Sequence, residues 1–401
     1  MSIINKNLKN GLRILLLPNK KFDSVAVGIF VRVGSRYENL KNNGISHFLE
    51  HMLFKDKELV KRLDCLGAKY NAETSYENTH YYIYGSKKDY KEFIEIICDI
   101  YKNPKFKKED IENEKNVITE ELNMLIDDSD EIINDEINKK VFSNSNLKLP
   151  IIGTKKNIKS FNNSDLTTFW KQFYVPPNTL FVISGNFDEK KSLNYISKEL
   201  GELNYNEKSN FLLEEPKKII QKEPKLYSIK DNMSQTNIMI TYRSNGIYEN
   251  LDLQYDIIAD ILSSGCSSRL FNLLRNKLGI SYYNYSYNLS YIYEGVFIIN
   301  VGVDPKRTKE CIQEILNEIH KLKNDGITEE ELDKCKKIRE TNYMLSLESP
   351  LDILNYYGFI ELFQTKNKME YLSKIKIKDI NKTLINLFDN SNLNIFVHGN
   401  M

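Results

Sequence analysis

Apolar positions recur along this chain in two periods, and blocks of the two periods alternate. Leu12-Arg13-Ile14-Leu15-Leu16-Leu17 and Val25-Ala26-Val27-Gly28-Ile29-Phe30-Val31 are short, dense and bounded by polar residues, which predicts strands. The second is nearly all apolar and is expected at the centre of a sheet. After Asn42-Asn43-Gly44 the period lengthens, and the stretch through Phe48, Leu49, Met52 and Leu53 reads as a helix. A second helix is predicted from Lys57 to Cys65, stopped at Leu66-Gly67 by a glycine well suited to a C-cap. Strands follow at Lys69–Thr74 and Thr79–Tyr84, helices at Tyr90–Tyr101 and from Lys108 to about Asp127, and a strand at Leu180–Gly185.

The plan then repeats. A strand at Ile238–Thr241 precedes helices at Leu251–Leu262 and Ser268–Leu278, the latter ending at Gly279. Strands Tyr282–Leu289 and Gly295–Val301, helices Thr308–Lys321 and Thr328–Leu345, and a closing strand Leu393–Asn400 complete it. Two homologous halves of about 200 residues are the simplest account. They are expected at residues 1–203 and 225–401, joined by a polar, proline-containing linker at 204–224.

Composition narrows the function classes. At 401 residues the chain is too long for one ordinary core. With 41% hydrophobic residues, 56 basic against 55 acidic residues and a net charge of +1, it reads as soluble and globular. No charge excess marks a nucleic-acid surface, and no run of 18 apolar residues marks a membrane span. The start lacks the apolar core of a signal peptide and the Arg/Ser character of a transit peptide, so a cytoplasmic location is expected. The five cysteines are scattered and never spaced C-x-x-C, which fits reduced thiols rather than a disulfide framework.

The chemistry concentrates in one helix. His47 and His51 are two of only five histidines, and they lie one helical turn apart on one face. Glu50 sits beside them. Two imidazoles with a neighbouring carboxylate form an H-x-x-E-H pattern, which offers nitrogen ligands for a catalytic zinc and a base for the water it activates. Where the first half has these histidines, the second has Tyr255-Asp256-Ile257-Ile258-Ala259-Asp260-Ile261, so only one half is built for metal. In the long helix from Lys108, Glu114 and Glu121 are two turns apart on a half-apolar face with Val117 and Ile118. Carboxylates so placed need a partner, and a zinc ion is a good one.

HFLEHMLF followed by ENEKNVITEEL resembles the inverted-zincin metallopeptidases, the family of pitrilysin, insulin-degrading enzyme and mitochondrial processing peptidase. The resemblance implies His47, His51 and Glu121 as ligands of one zinc ion per chain, Glu50 as the base, and Glu114 as a support behind the ligands. Leu274-Arg275-Asn276-Lys277-Leu278-Gly279-Ile280-Ser281-Tyr282 resembles the family's arginine and tyrosine pair, implying that Arg275 and Tyr282 hold substrate. Tyr70-Asn71-Ala72-Glu73-Thr74-Ser75 resembles its substrate strand, implying peptide contacts at Asn71 and Ala72. The implied fold class is α+β: two homologous α/β-sandwich halves, each a mostly antiparallel sheet covered by helices. At this length the chain is similar to one subunit of the dimeric branch.

The implied protein is therefore a homodimeric zinc endopeptidase acting on unfolded peptides inside a chamber. A heterodimer with a noncatalytic relative, a presequence-cleaving subunit in a mitochondrion-related compartment, and a noncatalytic scaffold are the alternatives. One departure is visible. His51 and Glu121 are 70 residues apart, short of the family's usual gap, and Lys55-Asp56-Lys57 stands where relatives have a Gly-Thr-containing loop. His80, His320 and His398 are expected to be structural.

Overall fold

In the computed structural model, which describes residues 2–205, 211–217 and 219–400, the dense apolar blocks become strands. Residues 206–210 and 218, within the expected linker, lie outside the described residues. Six strands form one sheet: β1 (Ile4–Asn7), β2 (Arg13–Pro18), β3 (Ser24–Val31), β4 (Lys69–Thr74), β5 (Thr79–Ser86) and β6 (Thr179–Gly185), in the order β1-β2-β6-β3-β5-β4. Five form another: β7 (Lys225–Lys230), β8 (Thr236–Asn245), β9 (Ser281–Ser290), β10 (Glu294–Val303) and β11 (Leu393–Gly399), in the order β7-β11-β8-β10-β9. Without β1 the two orders are the same, strand for strand. In each sheet one pair is parallel, β2 with β6 and β7 with β11, and the other pairs are antiparallel. The α+β class and the internal repeat are both present in the fold. Among the described strands, β1, short, polar and mostly exposed, has no counterpart.

β3 is central, between β6 and β5, and seven of its eight residues are buried. Such a strand is covered on both faces, and this explains its unbroken apolar run. Val25, Val27, Ile29 and Val31 join the larger core beneath helices α1 (Ile45–Leu53), α2 (Lys57–Cys65), α3 (Tyr90–Lys102) and α4 (Lys108–Ile126). Ala26 and Phe30 point the other way, into a smaller core with Leu15, Leu17, Leu180 and Val182. That face is covered by Ile353, Leu354 and Leu362 of the helix Pro350–Phe363. Gly358 permits the close approach, since a Cβ there would stand 2.7 Å from the Phe30 ring.

The described residues fall into two compact units, neither a single stretch of chain. The first contains residues 1–128, 145–214 and 344–365; the second contains 129–144, 215–343 and 366–401. The helix Pro350–Phe363 thus belongs to the first unit. Helix α5 (Ser129–Val141) belongs to the second, where His398 of β11 contacts the Ser129 carbonyl at 3.1 Å.

Two local departures from the sequence reading stand out. The helix expected at Ser268–Leu278 is a wider, π-type turn over Phe271–Lys277, with the Leu278 amide donating to the Leu273 carbonyl at 3.1 Å. The helices at Ser129–Val141 and Pro350–Phe363 were not predicted, because their apolar residues do not stand out against a polar or an all-apolar surround. All five cysteines are free, and among the described residues no helix is long and apolar enough to cross a membrane.

Candidate metal centre

Helix α1 carries two stripes. Ile45, Phe48, Leu49, Met52 and Leu53 recur at helical spacing and are buried in the core of the first unit, which turns His47, Glu50 and His51 the other way. The helix starts at Gly44, whose φ is +97° and where a Cβ would meet the Ile152 carbonyl oxygen at 2.6 Å, so glycine is required. Glycine cannot cap its own helix. Glu38, 1% exposed, does so from outside: its carboxylate accepts from the amides of Gly44 (2.7 Å) and Ser46 (2.8 Å) and from Asn43 Nδ2 (2.9 Å). Burial raises the Glu38 pKa, and these donors pull against that rise. The carboxylate also complements the positive end of the helix that carries both histidines.

Helix α4 brings the third residue. Glu121 Oε1 lies 3.5 Å from His47 Nε2, and Glu121 Oε2 lies 3.4 Å from His51 Nε2. Two turns earlier Glu114, buried, holds the far side of His51, Oε1 to Nδ1 at 2.8 Å. Lys55 pairs with the other Glu114 oxygen. Burial works against charge on His51, but Glu114, Glu121 and Glu50 outweigh it and push the imidazole up to about 9. The two histidines hold the Glu121 carboxyl far below the usual carboxylate range against its burial. For Glu114, burial is likewise overcome by His51 and Lys55, and its pKa is lowered. The field at this point therefore favours a cation strongly.

A zinc ion fits these residues. His47, His51 and Glu121 each offer one ligand atom, all within 4.8 Å of one another. The Glu121 carboxylate spans the two imidazoles, one oxygen 3.5 Å from His47 Nε2 and the other 3.4 Å from His51 Nε2, near the roughly 3.3 Å between donors on a tetrahedral zinc at about 2.0–2.1 Å. The Glu114 contact at Nδ1 leaves His51 Nε2 directed at the shared point. Two imidazoles and one carboxylate are the donor types that would hold a catalytic zinc ion.

Glu50 stands beside this triad, and its Oε2 accepts from Thr74 Oγ1 at 2.8 Å. Asn71 and Ala72 lie in β4, an edge strand, paired with Tyr82 and Tyr81 of β5. Arg275 and Tyr282 belong to the second unit. There they touch one another, Arg275 Nη1 donating to the Tyr282 carbonyl at 2.8 Å, and Tyr282 is 53% exposed. Glu38, Lys55 and Thr74 are the site residues that sequence reasoning passed over. A carboxylate six residues before a helix-starting glycine was the one available signal for Glu38; the other two contacts are made only in space.

Two family descriptions match consecutive parts of the chain: Insulinase (Peptidase family M16) over residues 13–155, and Peptidase M16 inactive domain over residues 160–339. An uncharacterized zinc protease of Rickettsia felis is 32% identical over 394 residues, covering 95% of this chain and 94% of that one. The chain belongs to peptidase family M16. A second relative, the uncharacterized zinc protease YmxG of Bacillus subtilis, is 31% identical, covering 95% of this chain and 94% of its own. Among solved structures, a protease from Helicobacter pylori shares the fold with a TM-score of 0.93 at 21% identity, covering 99% of both chains. The M16 match over 13–155 contains the whole triad, Glu50 and Glu114; the match over 160–339 contains Arg275 and Tyr282.

Proposed function

We propose that this chain is a zinc endopeptidase that hydrolyses unfolded peptides, with His47, His51 and Glu121 holding one zinc ion. The observation that carries the reading is the convergence of these three side chains within 4.8 Å, with Glu50 on the same helical face. When bound, zinc supplies a Lewis acid that acidifies water and polarises a peptide carbonyl. Glu50 takes the proton from the attacking water and returns it to the leaving amine. Glu114 orients His51 through Nδ1, and Lys55 keeps Glu114 ionised. Asn71 and Ala72 offer the open edge of β4 to an extended peptide, which is why unfolded chains are the substrate class. Arg275 and Tyr282 grip the substrate backbone, and the working assembly is a homodimer enclosing the peptide.

Metal analysis and cleavage of a quenched, unfolded peptide test this directly. Wild type should carry one zinc per chain and cleave. Glu50→Gln should keep its zinc and lose at least about 10³-fold in rate. A wild type that binds no zinc and cleaves nothing would leave a scaffold protein instead. Native mass of the purified chain checks the dimer, with a single-chain mass as the contrary result.

A further inference from the structure

The two oxygens of Glu50 are not in equivalent surroundings. Oε2 accepts a hydrogen bond from Thr74 Oγ1 at 2.8 Å. Thr74 is the last residue of β4, buried, and paired with Thr79 of β5. An ionised carboxylate only accepts, so the threonine hydrogen is committed to Oε2. A glutamate on a helix face otherwise has several side-chain rotamers open to it. A donor mounted on a paired strand selects among them.

We infer that Thr74 is a positioning residue for the base: by occupying Glu50 Oε2 it fixes the carboxylate and leaves Oε1 to take the proton from water. The inference rests on the zinc-peptidase reading of the same site. It adds a link between the substrate edge and the base, because Thr74 ends the strand that contains Asn71 and Ala72. The backbone that registers the peptide also holds the group that activates the water. Because the bond restrains the base and not the peptide, its loss should appear in kcat and spare KM.

The test compares Thr74→Val, which keeps the branched shape and removes the donor, with Thr74→Ser, which keeps the donor and removes the methyl. Steady-state cleavage of the quenched peptide should give a kcat about 10- to 100-fold lower for Thr74→Val, the usual cost of losing a partner behind a catalytic group. KM should stay within about twofold, zinc should remain at one per chain, and Thr74→Ser should recover to within about threefold of wild type. Thr74→Ala, which packs no branched side chain, is the second variant if valine does not fold, and should lose kcat as valine does. In a Glu50→Gln background, Thr74→Val should slow the residual rate no further. An active wild type with unchanged kcat in Thr74→Val or Thr74→Ala, or with serine as slow as valine, overturns this inference alone. A wild type without zinc or cleavage overturns the peptidase reading and this inference together.

Discussion

In the first unit α1 and α4 meet across His47, His51 and Glu121. In the second unit the helices at the same places in the strand and helix order, Asp252–Ser263 and Glu329–Leu345, meet across Asp256, Asp260 and Arg339. Both first helices present two polar side chains one turn apart. Arg339 Nε lies 2.5 Å from Asp260 Oδ2, its Nη2 donates to the Asp256 carbonyl at 2.8 Å, and Lys368 Nζ approaches Asp256 Oδ2 at 3.2 Å. The second pair of helices is thus joined by a cation that is part of the chain, with its donors already spent on fixed acceptors. The first pair turns two ring nitrogens and a carboxylate toward one point, where a metal cation would complete it. Both junctions gather acceptors that a cation would satisfy, and in the second unit the chain itself supplies it.

The largest effect expected from breaking that difference is at the triad. His47→Ala or Glu121→Ala should strip zinc from dialysed protein and lower cleavage by more than about 10³-fold. Asp256→Asn should leave zinc content and rate within about twofold. Equal losses from both would erase the distinction.

Acid should separate the units next. His80, stacked on Phe30 at 5.0 Å in the first unit, has its pKa held down to about 4 by burial. The unfolded chain takes up that proton below about 6.5, and the folded chain resists until about 4. The His80 contribution to stability is therefore full above about 6.5, falls by about 3 kcal/mol as the pH drops to about 4, and then levels off. Hydrogen exchange should accelerate in β3 and β5 over that window, and His80→Phe should suppress the acceleration. Acceleration unaffected by His80→Phe would assign the acid sensitivity to other groups.

Arg339→Met is the smallest change. It removes one partner of a half-buried cluster and should cost about 2 kcal/mol in urea unfolding, with or without a chelator. A chelator-dependent cost would tie this cluster to the metal.

Much of this was legible in the residues. The core stripe of α1 follows from Ile45, Phe48, Leu49, Met52 and Leu53, and the same spacing puts His47 and His51 together. The repeat was visible in Leu66-Gly67 and Leu278-Gly279, each followed by two strands and two helices, and it returned as the shared strand order of the two sheets. Glu114 and Glu121 were visible as a pair. That Glu38 caps the histidine helix, that Lys55 shares Glu114, and that Arg339 joins Asp256 and Asp260 were not. Each of these is a contact between elements distant in the chain or across a loop, and no period reports it.

The sequence by itself determined which side chains share a helical face and which runs enter a sheet, because backbone geometry sets those angles from covalent spacing alone. Only the tertiary structure decided that α4 comes close enough for Glu121 to reach both histidines, that Thr74 meets Glu50, and that the helix Pro350–Phe363 covers the sheet begun by the first residues. Distances between elements come from packing apolar faces together, and many helix faces in this chain would satisfy one face of one sheet equally well in pattern.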